Sequence, residues 1–464
     1  MITPASTLSP VAPSQRIRGV DIARGLALLG ILLVNVRFFF WPLAVAIDPT
    51  LEIDGVATTD ADRIAWSVVE TLCTFKCISL FSLLFGFGIA TQVDRVLRAG
   101  GNCWAFGARR CGVLLAIGLV HGLFVWYGDI LTLYALLGFA VFAMARVSLK
   151  ALRFVIVTLI SVLVVLTVLG AILQWAARVY PEVFAFQPTD VVLVQSFDGA
   201  AATTEDSEIA SDAPIANIAT TTTPLRGFDA IYEAGGDISS EVWREAETAA
   251  FREGPFIDAL LFRWSEFAMS LIAGLFGYGW HALIMMLIGV YVFRTGLFSA
   301  ETRARRMGVG IGCTIVGLGL SILAVAPLWI MGLESPFALA MHAVFLELGA
   351  LVLPLGYAML IVEYGPRWPA AISIPIERAG RMALSLYLTE SLICTTLASW
   401  WGFALFGSML DLRLSLIAIA VWISLLLMAT LWLQRFRIGP MEWVWRRLSY
   451  GRTPARTQAA SSIH

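Results

Sequence analysis

Apolar runs of about 18 residues or more recur from one end of this chain to the other, and few folds accommodate that. Runs of that length match the hydrocarbon thickness of a bilayer when they are helical. The bilayer core offers no water to unpaired backbone groups, so only helices and closed barrels span it. The short alternating segments of a transmembrane barrel are absent. Hydrophobic residues make up 59% of the 464 and charged residues 14%, with a mean hydropathy of +0.81, which no soluble domain approaches. The expected fold class is all-α, a polytopic transmembrane helix bundle.

Apolar length and charged breaks predict about ten spans, over 19–41, 64–92, 111–127, 129–146, 153–176, 277–294, 307–330, 337–362, 382–404 and 413–433. Arginine and lysine gather in alternate connections: Arg95 to Arg110, Arg146 to Arg153, Arg294 to Arg306, and Arg435 to Arg447 after the last span. The intervening loops are acidic or nearly uncharged, so the positive-inside rule puts both termini in the cytoplasm, in agreement with an even number of spans. The chain divides into a five-span half (1–176), an extracytoplasmic loop (177–258) with Ala/Thr-rich low complexity at 200–223, and a second five-span half (259–450). A disordered tail follows (451–464). A helical period returns over 241–275, but Arg263 and Glu266 interrupt it. An interfacial, lid-like amphipathic helix is expected there, with partial insertion as the alternative, and a cytoplasmic tail helix is expected to close the second half.

Several functions find no support. The net charge of −1 gives no case for nucleic-acid binding. Six cysteines lie in or beside apolar spans and suggest no disulfide framework. Cys73 and Cys77 have no His or second Cys pair nearby, so packing is expected rather than zinc, and no metal site is predicted. No phosphate-binding loop or nucleophile elbow is present, and the first fifteen residues do not form a cleavable signal.

Ionisable groups in or bordering lipid are costly and become functional candidates. Asp21 and Arg24 stand at one mouth of the first span, Asn35 and Arg37 toward the other. The plain alternative is anchoring by Arg16, Arg18 and Arg24 with a snorkelling Arg37. Lys76, near the middle of the second span, needs a counter-ion, which Glu347 or Glu390 would provide. His121 is the best general-base candidate, and a seven-residue hairpin returns Asp129 toward its imidazole; a static interhelical hydrogen bond is the alternative. Ser385, Tyr387, Thr389 and Glu390 give the ninth span a polar stripe fit for an interior cavity. His281 and His342 lie nearer the outer faces, and the run around Gly86 and Gly88 suggests close helix packing before ligand approach.

The runs Arg18-Gly-Val-Asp-Ile-Ala-Arg-Gly-Leu-Ala-Leu, Phe81-Ser-Leu-Leu-Phe-Gly-Phe-Gly, His121-Gly-Leu-Phe-Val-Trp-Tyr-Gly-Asp, Gly380-Arg-Met-Ala-Leu-Ser-Leu-Tyr-Leu-Thr-Glu and Gly439-Pro-Met-Glu-Trp-Val-Trp-Arg-Arg resemble the YeiB-like family in order and over nearly the whole chain. The resemblance implies a multi-pass protein of the bacterial inner (cytoplasmic) membrane whose C-terminal half is a domain of unknown function. The first span is also similar to the opening helix of heparan-α-glucosaminide N-acetyltransferase and its relatives, which pass acetyl groups from cytosolic acetyl-CoA to a sugar amine. That similarity implies a catalytic role for Asn35. The histidine that follows the asparagine in that family has no counterpart in Val36–Ile47, so either His121 has taken its place or the chemistry is absent.

The expectation is a membrane-embedded acyltransferase with acyl-CoA as co-substrate and no permanently bound cofactor. Arg24 and Arg109 or Arg110 would meet the phosphates, His121 with Asp129 would act as base, and Asn35 would bind the oxyanion. Asp21, Arg37, Lys76, Tyr387 and Glu390 are expected to line substrate. The acceptor would be a small molecule or glycan, and the other partners the lipid bilayer and a second copy of the chain. The alternative is a transporter or exporter with Lys76, His121, Glu347 and Glu390 along its path, although no internal repeat or Gly/Pro-broken helix pair is evident.

Overall fold

A computed structural model describes residues 16–48, 50, 51, 53, 57–184 and 225–450, and among these there is no β-strand. The low-complexity stretch 200–223 and the tail 451–464 lie outside the described residues. The N-terminal half runs α1 (Arg18–Phe40), α2 (Leu43–Ile47), α3 (Asp60–Leu72), α4 (Lys76–Arg98), α5 (Cys103–Phe124), α6 (Leu131–Met144), α7 (Leu149–Val179) and the single turn α8 (Pro181–Phe184). Beyond residue 225 come α9 (Gly227–Glu233), α10 (Glu241–Arg252), α11 (Phe256–Phe276), α12 (Tyr278–Arg294), α13 (Arg303–Met331) and α14 (Pro336–Tyr364). They are followed by α15 (Ala370–Arg381), α16 (Ala383–Ala398), α17 (Asp411–Arg435) and α18 (Pro440–Tyr450).

Eight helical segments among the described residues are long and apolar enough to cross a membrane, and α6, α12 and α16 are shorter apolar helices. Together they cover every predicted span, so the polytopic all-α bundle stands. The additional segment is α11, expected from the sequence to be interfacial or partly inserted. Its Arg263 and Glu266, which interrupt the apolar run, turn inward and are only 4% and 0% exposed, and the helix's exposed residues are apolar.

Helix α1 is the axis of the bundle and packs on α4, α14, α15, α16 and α17. Glycines make this possible. A Cβ on Gly19 would overlap the Val362 backbone, one on Gly25 the Ile376 carbonyl, and one on Gly30 the Cys77 side chain. Such small-residue contacts let backbones approach where no hydrophobic effect drives helices together. The run around Gly86 serves the same end, since Gly86 lies against the Met286 carbonyl and Gly289 of α12 against the Leu83 carbonyl.

The segment predicted as one span over 64–92 is broken. Phe75 takes φ of 58°, in the left-handed region, and α3 and α4 meet there at an interruption over Cys73–Phe75. For a residue with a side chain that conformation costs about 1–2 kcal/mol. Hydrogen bonds to the end of α3 offset it: Lys76 Nζ donates to the Glu70 carbonyl at 2.8 Å and Tyr357 Oη to the Leu72 carbonyl at 3.1 Å. Lys76 is thus the first residue of α4 rather than a mid-helix cation, fully buried, with a backbone oxygen as its hydrogen-bond partner. Of the carboxylates expected to neutralise it, Glu347 does act on its charge, together with Glu70, whereas Glu390 does not. Glu347 meets His281, and Glu390 is 1% exposed with Oε2 lacking any hydrogen-bond partner.

Candidate functional site

Arg24 and Asn35 stand three turns apart on α1, a rise of about 16 Å. Each opens onto its own cavity. The two cavities share Ile31 of α1 and Ile78 of α4 as wall residues, so they lie back to back across a thin septum beside the α3–α4 break.

The Arg24 cavity has a volume of about 440 Å³ and is lined by Arg16, Arg24, Arg95, Arg110, Arg381 and Arg446 around an apolar interior of Phe81, Phe85, Leu114 and Ile130. Its two carboxylates are engaged. Asp21 accepts from Arg24 Nη1 at 3.1 Å, and Arg24 Nη2 reaches the Leu84 carbonyl at 3.3 Å. Glu442 accepts the Leu384 and Ser385 amides at 2.8 and 3.1 Å and the Ser385 hydroxyl at 2.5 Å, capping the first turn of α16 where a carboxylate is favoured. The remaining field is cationic and suits an anionic head with an apolar tail. Arg110 faces this cavity and stacks on Trp445 with 3.9 Å to the ring centroid, whereas Arg109 is exposed on the far side of its helix.

The Asn35 cavity is larger, about 660 Å³, and its wall holds Arg37, Glu70, Thr74, His342 and Asp411 among Trp41, Trp66, Trp329 and Tyr278. Arg37 Nε donates to Asp411, the first residue of α17, at 2.6 Å. Glu70 accepts from Thr74 Oγ1 at 2.7 Å and lies 3.4 Å from His342 Nε2. His342 Nδ1 sits 3.0 Å from the Ala324 carbonyl, an acceptor only, so Nδ1 carries a proton. A neutral imidazole would then present a lone pair to a carboxylate. The pair thus places a carboxylate and an imidazole side by side on the cavity wall, where a proton can be shared between them.

The hairpin after α5 folds with the expected contact. His121 Nδ1 lies 2.9 Å from Asp129 Oδ1, and Asp129 Oδ2 accepts the Thr132 amide at 2.7 Å. Tyr387 fixes the same turn, accepting from Ile130 N at 3.2 Å and donating to the Gly128 carbonyl at 3.4 Å. His121 Nε2 is buried and has no hydrogen-bond partner. Neither His121 nor Asp129 lines either cavity; Tyr387, with its ring 5.2 Å from the imidazole, faces the Arg24 cavity in their place.

Of the residues singled out from the sequence, Asp21, Arg24 and Tyr387 line the Arg24 cavity, Asn35 and Arg37 line the other, and Lys76 and Glu390 line neither. The sequence reading missed Glu70, its pairing with His342, and Asp411. The signal was present: Glu70 lies in the same apolar span as Lys76, six residues upstream, and is costly there for the same reason. Among the described residues no group of three or more His, Cys, Asp or Glu is placed to hold a metal ion.

A separate acidic pair fastens α10 and α11 beside α1. Glu247 accepts the Leu43 amide at 3.0 Å, and burial pushes its carboxyl up to about 7. Glu266 is fully buried next to it, with the two carboxyl groups interacting directly.

The family model described as "Protein of unknown function (DUF418)" matches residues 292–452, which include α13 to α18 and with them His342, Tyr387 and Asp411. Uncharacterized protein YeiB of Escherichia coli (strain K12) is 29% identical over 434 residues, covering 93% of this chain and 95% of YeiB. Uncharacterized protein YxaH of Bacillus subtilis (strain 168) is 26% identical over 456 residues, covering 96% and 97%. No solved structure matches. The resemblance to the YeiB-like family holds along nearly the full chain, with the domain of unknown function in its C-terminal part.

Proposed function

We propose that this YeiB-like membrane protein is an acyltransferase that passes an acyl group from cytosolic acyl-CoA in the Arg24 cavity to an acceptor in the Asn35 cavity. The observation that carries the proposal is the shared Ile31/Ile78 wall, which brings a cationic, apolar-floored cavity and an acid–base-lined cavity within one side chain of each other. The arginines around Arg24 bind the phosphates of the donor, with Asp21 holding the Arg24 guanidinium in place. The acyl thioester lies along the apolar floor toward Ile31, and Tyr387 forms part of the wall beside it.

On the other side a hydroxyl or amine acceptor gives its proton to Glu70, which shares it with His342. The acceptor oxygen or nitrogen bonds to the carbonyl carbon, the C–S bond breaks, and the CoA thiolate takes up a proton. Asn35 donates to the oxyanion that develops in between. Arg37, held by Asp411, orients the acceptor. His121 and Asp129 act as a positioning pair that holds the Tyr387 turn.

A transport reading has one observation in its favour, the broken α3–α4 segment with buried Lys76 at the break, since discontinuous helices form many substrate sites in transporters. One experiment separates the two. Purified protein in vesicles is given acetyl-CoA and a panel of amines and sugars, and release of free CoA thiol is followed. Asn35→Ala abolishes thiol release while acyl-CoA binding survives. Absence of thiol release with every acceptor, together with substrate flux sensitive to Lys76→Met or Glu390→Gln, would establish transport instead.

A further inference from the structure

The septum between the cavities contains a line of polar groups. Ser82 Oγ lies 2.5 Å from Tyr134 Oη, and Tyr134 is part of the Arg24 cavity wall. One turn earlier on α4, Ser79 Oγ lies 2.6 Å from His281 Nε2, and His281 Nδ1 lies 2.5 Å from Glu347 Oε1. Glu347 follows Leu346 of the Asn35 cavity wall, and its side chain is 18% exposed while Ser79, Ser82 and His281 are sealed. Tyr278 stands between the two halves. Its ring lines the Asn35 cavity, and its hydroxyl adjoins Ser79, Ser82 and Tyr134. That hydroxyl is shielded from solvent yet forms no properly directed hydrogen bond. Leaving such a group unpaired carries a cost that packing alone does not return.

We propose that Glu347, His281, Ser79, Tyr278, Ser82 and Tyr134 form a proton relay through the septum, joining the Asn35 cavity to the Arg24 cavity. A proton taken up at Glu347 passes to His281 Nδ1, and His281 releases its Nε2 proton to Ser79. Ser79 passes its own proton to Tyr278, and the transfer continues through Ser82 to Tyr134 and into the Arg24 cavity. Each step breaks one O–H or N–H bond and forms another, so every group ends with its original number of protons.

The resting hydroxyls have somewhere else to point. Ser79 donates to the Phe75 carbonyl at 2.5 Å and Ser82 to the Ile78 carbonyl at 2.9 Å, the ordinary bonds of helical serines. Rotation of each hydroxyl from carbonyl to neighbour and back, with a half-turn of the His281 ring that exchanges Nδ1 and Nε2 to restore its tautomer, resets the line, and Tyr278, beside both serines, is the link that closes it. The relay does not depend on acyl transfer, because a transporter with these cavities would contain the same line of groups.

The test is proton flux through the full chain reconstituted in vesicles with a trapped pH-sensitive dye, under an imposed pH step with the membrane potential clamped. The wild-type protein should dissipate the step faster than protein-free vesicles. Tyr278→Phe removes only the hydroxyl and keeps the packed ring, so the fold is retained and the flux falls to the protein-free level. Ser82→Ala does the same by an independent cut. Ser424→Ala, on an exposed serine of α17 whose hydroxyl bonds to the Ala420 carbonyl, leaves it unchanged. No wild-type flux above protein-free vesicles, or flux retained in either Tyr278→Phe or Ser82→Ala, overturns the proposal.

Discussion

His121 reaches Asp129 across a single hairpin, whereas His342 of α14 reaches Glu70 of α3 from the other half of the chain. The chemistry of the two pairs is the same and their situations are opposite. The local pair is enclosed, with His121 at 2% exposure and its free nitrogen facing protein. The distant pair forms part of a cavity wall with Asn35 and Arg37 beside it. A contact between residues close in sequence can be made within one turn of structure and serves to hold that turn. One assembled from separate helices appears where those helices part to leave space.

The sharpest way to break this contrast is Glu70→Gln. Removing the group that receives the acceptor proton should lower turnover by about 10²–10⁴-fold while acyl-CoA affinity stays unchanged, measured by thiol release and calorimetry. Turnover within a few-fold of wild type would return the base to His121.

Glu247 tests what a buried carboxylate does with no histidine beside it. Burial raises its folded pKa from the ordinary 4.5 to about 7, so its contribution to stability is complete below 4.5 and is lost as pH rises through about 7. The thermal midpoint in detergent should therefore decline over that window, and Glu247→Gln, which keeps an acceptor for the Leu43 amide, should flatten the decline. An unchanged slope in the variant would contradict this.

Asp129→Asn leaves the hairpin in place but swaps a charged acceptor for a neutral one. A destabilisation of about 1–3 kcal/mol is expected, seen as a lower thermal midpoint with turnover nearly retained. Lost turnover at an unchanged midpoint would identify His121 and Asp129 as catalytic. Leu166→Ala, on the exposed side of α7, should shift stability by no more than about 0.5 kcal/mol, because that face is exposed and makes few packing contacts within the bundle.

The contrast between α1 and α7 explains how much of the fold was legible. The more apolar helix is the peripheral one: the window on α7 has a mean hydropathy of 3.0 with 11% of it buried, against 1.8 and 56% for α1. In a bilayer, polar residues mark the interior, so Asp21, Arg24 and Asn35 singled out the first span as a functional candidate, and the structure makes it the axis. At α11 the same logic left an interfacial and an inserted position open, because hydropathy counts Arg263 and Glu266 without knowing which way they face. It failed at Cys73–Phe75, where no Gly or Pro announces the break and the stabilising bonds come from Lys76 and from Tyr357, far along the chain. The His121–Asp129 contact was legible because the hairpin is short. Glu70–His342 and the septum line are products of tertiary packing, and no spacing in the sequence encodes them.

The central claim is that the Arg24 cavity binds an acyl-CoA, and titration calorimetry of the detergent-purified protein with acetyl-CoA and a long-chain acyl-CoA tests it most directly. Saturable binding that weakens in Arg24→Ala, with Asn35→Ala binding as wild type, is the predicted result. No binding of either ligand, or binding indifferent to Arg24→Ala, would contradict the account.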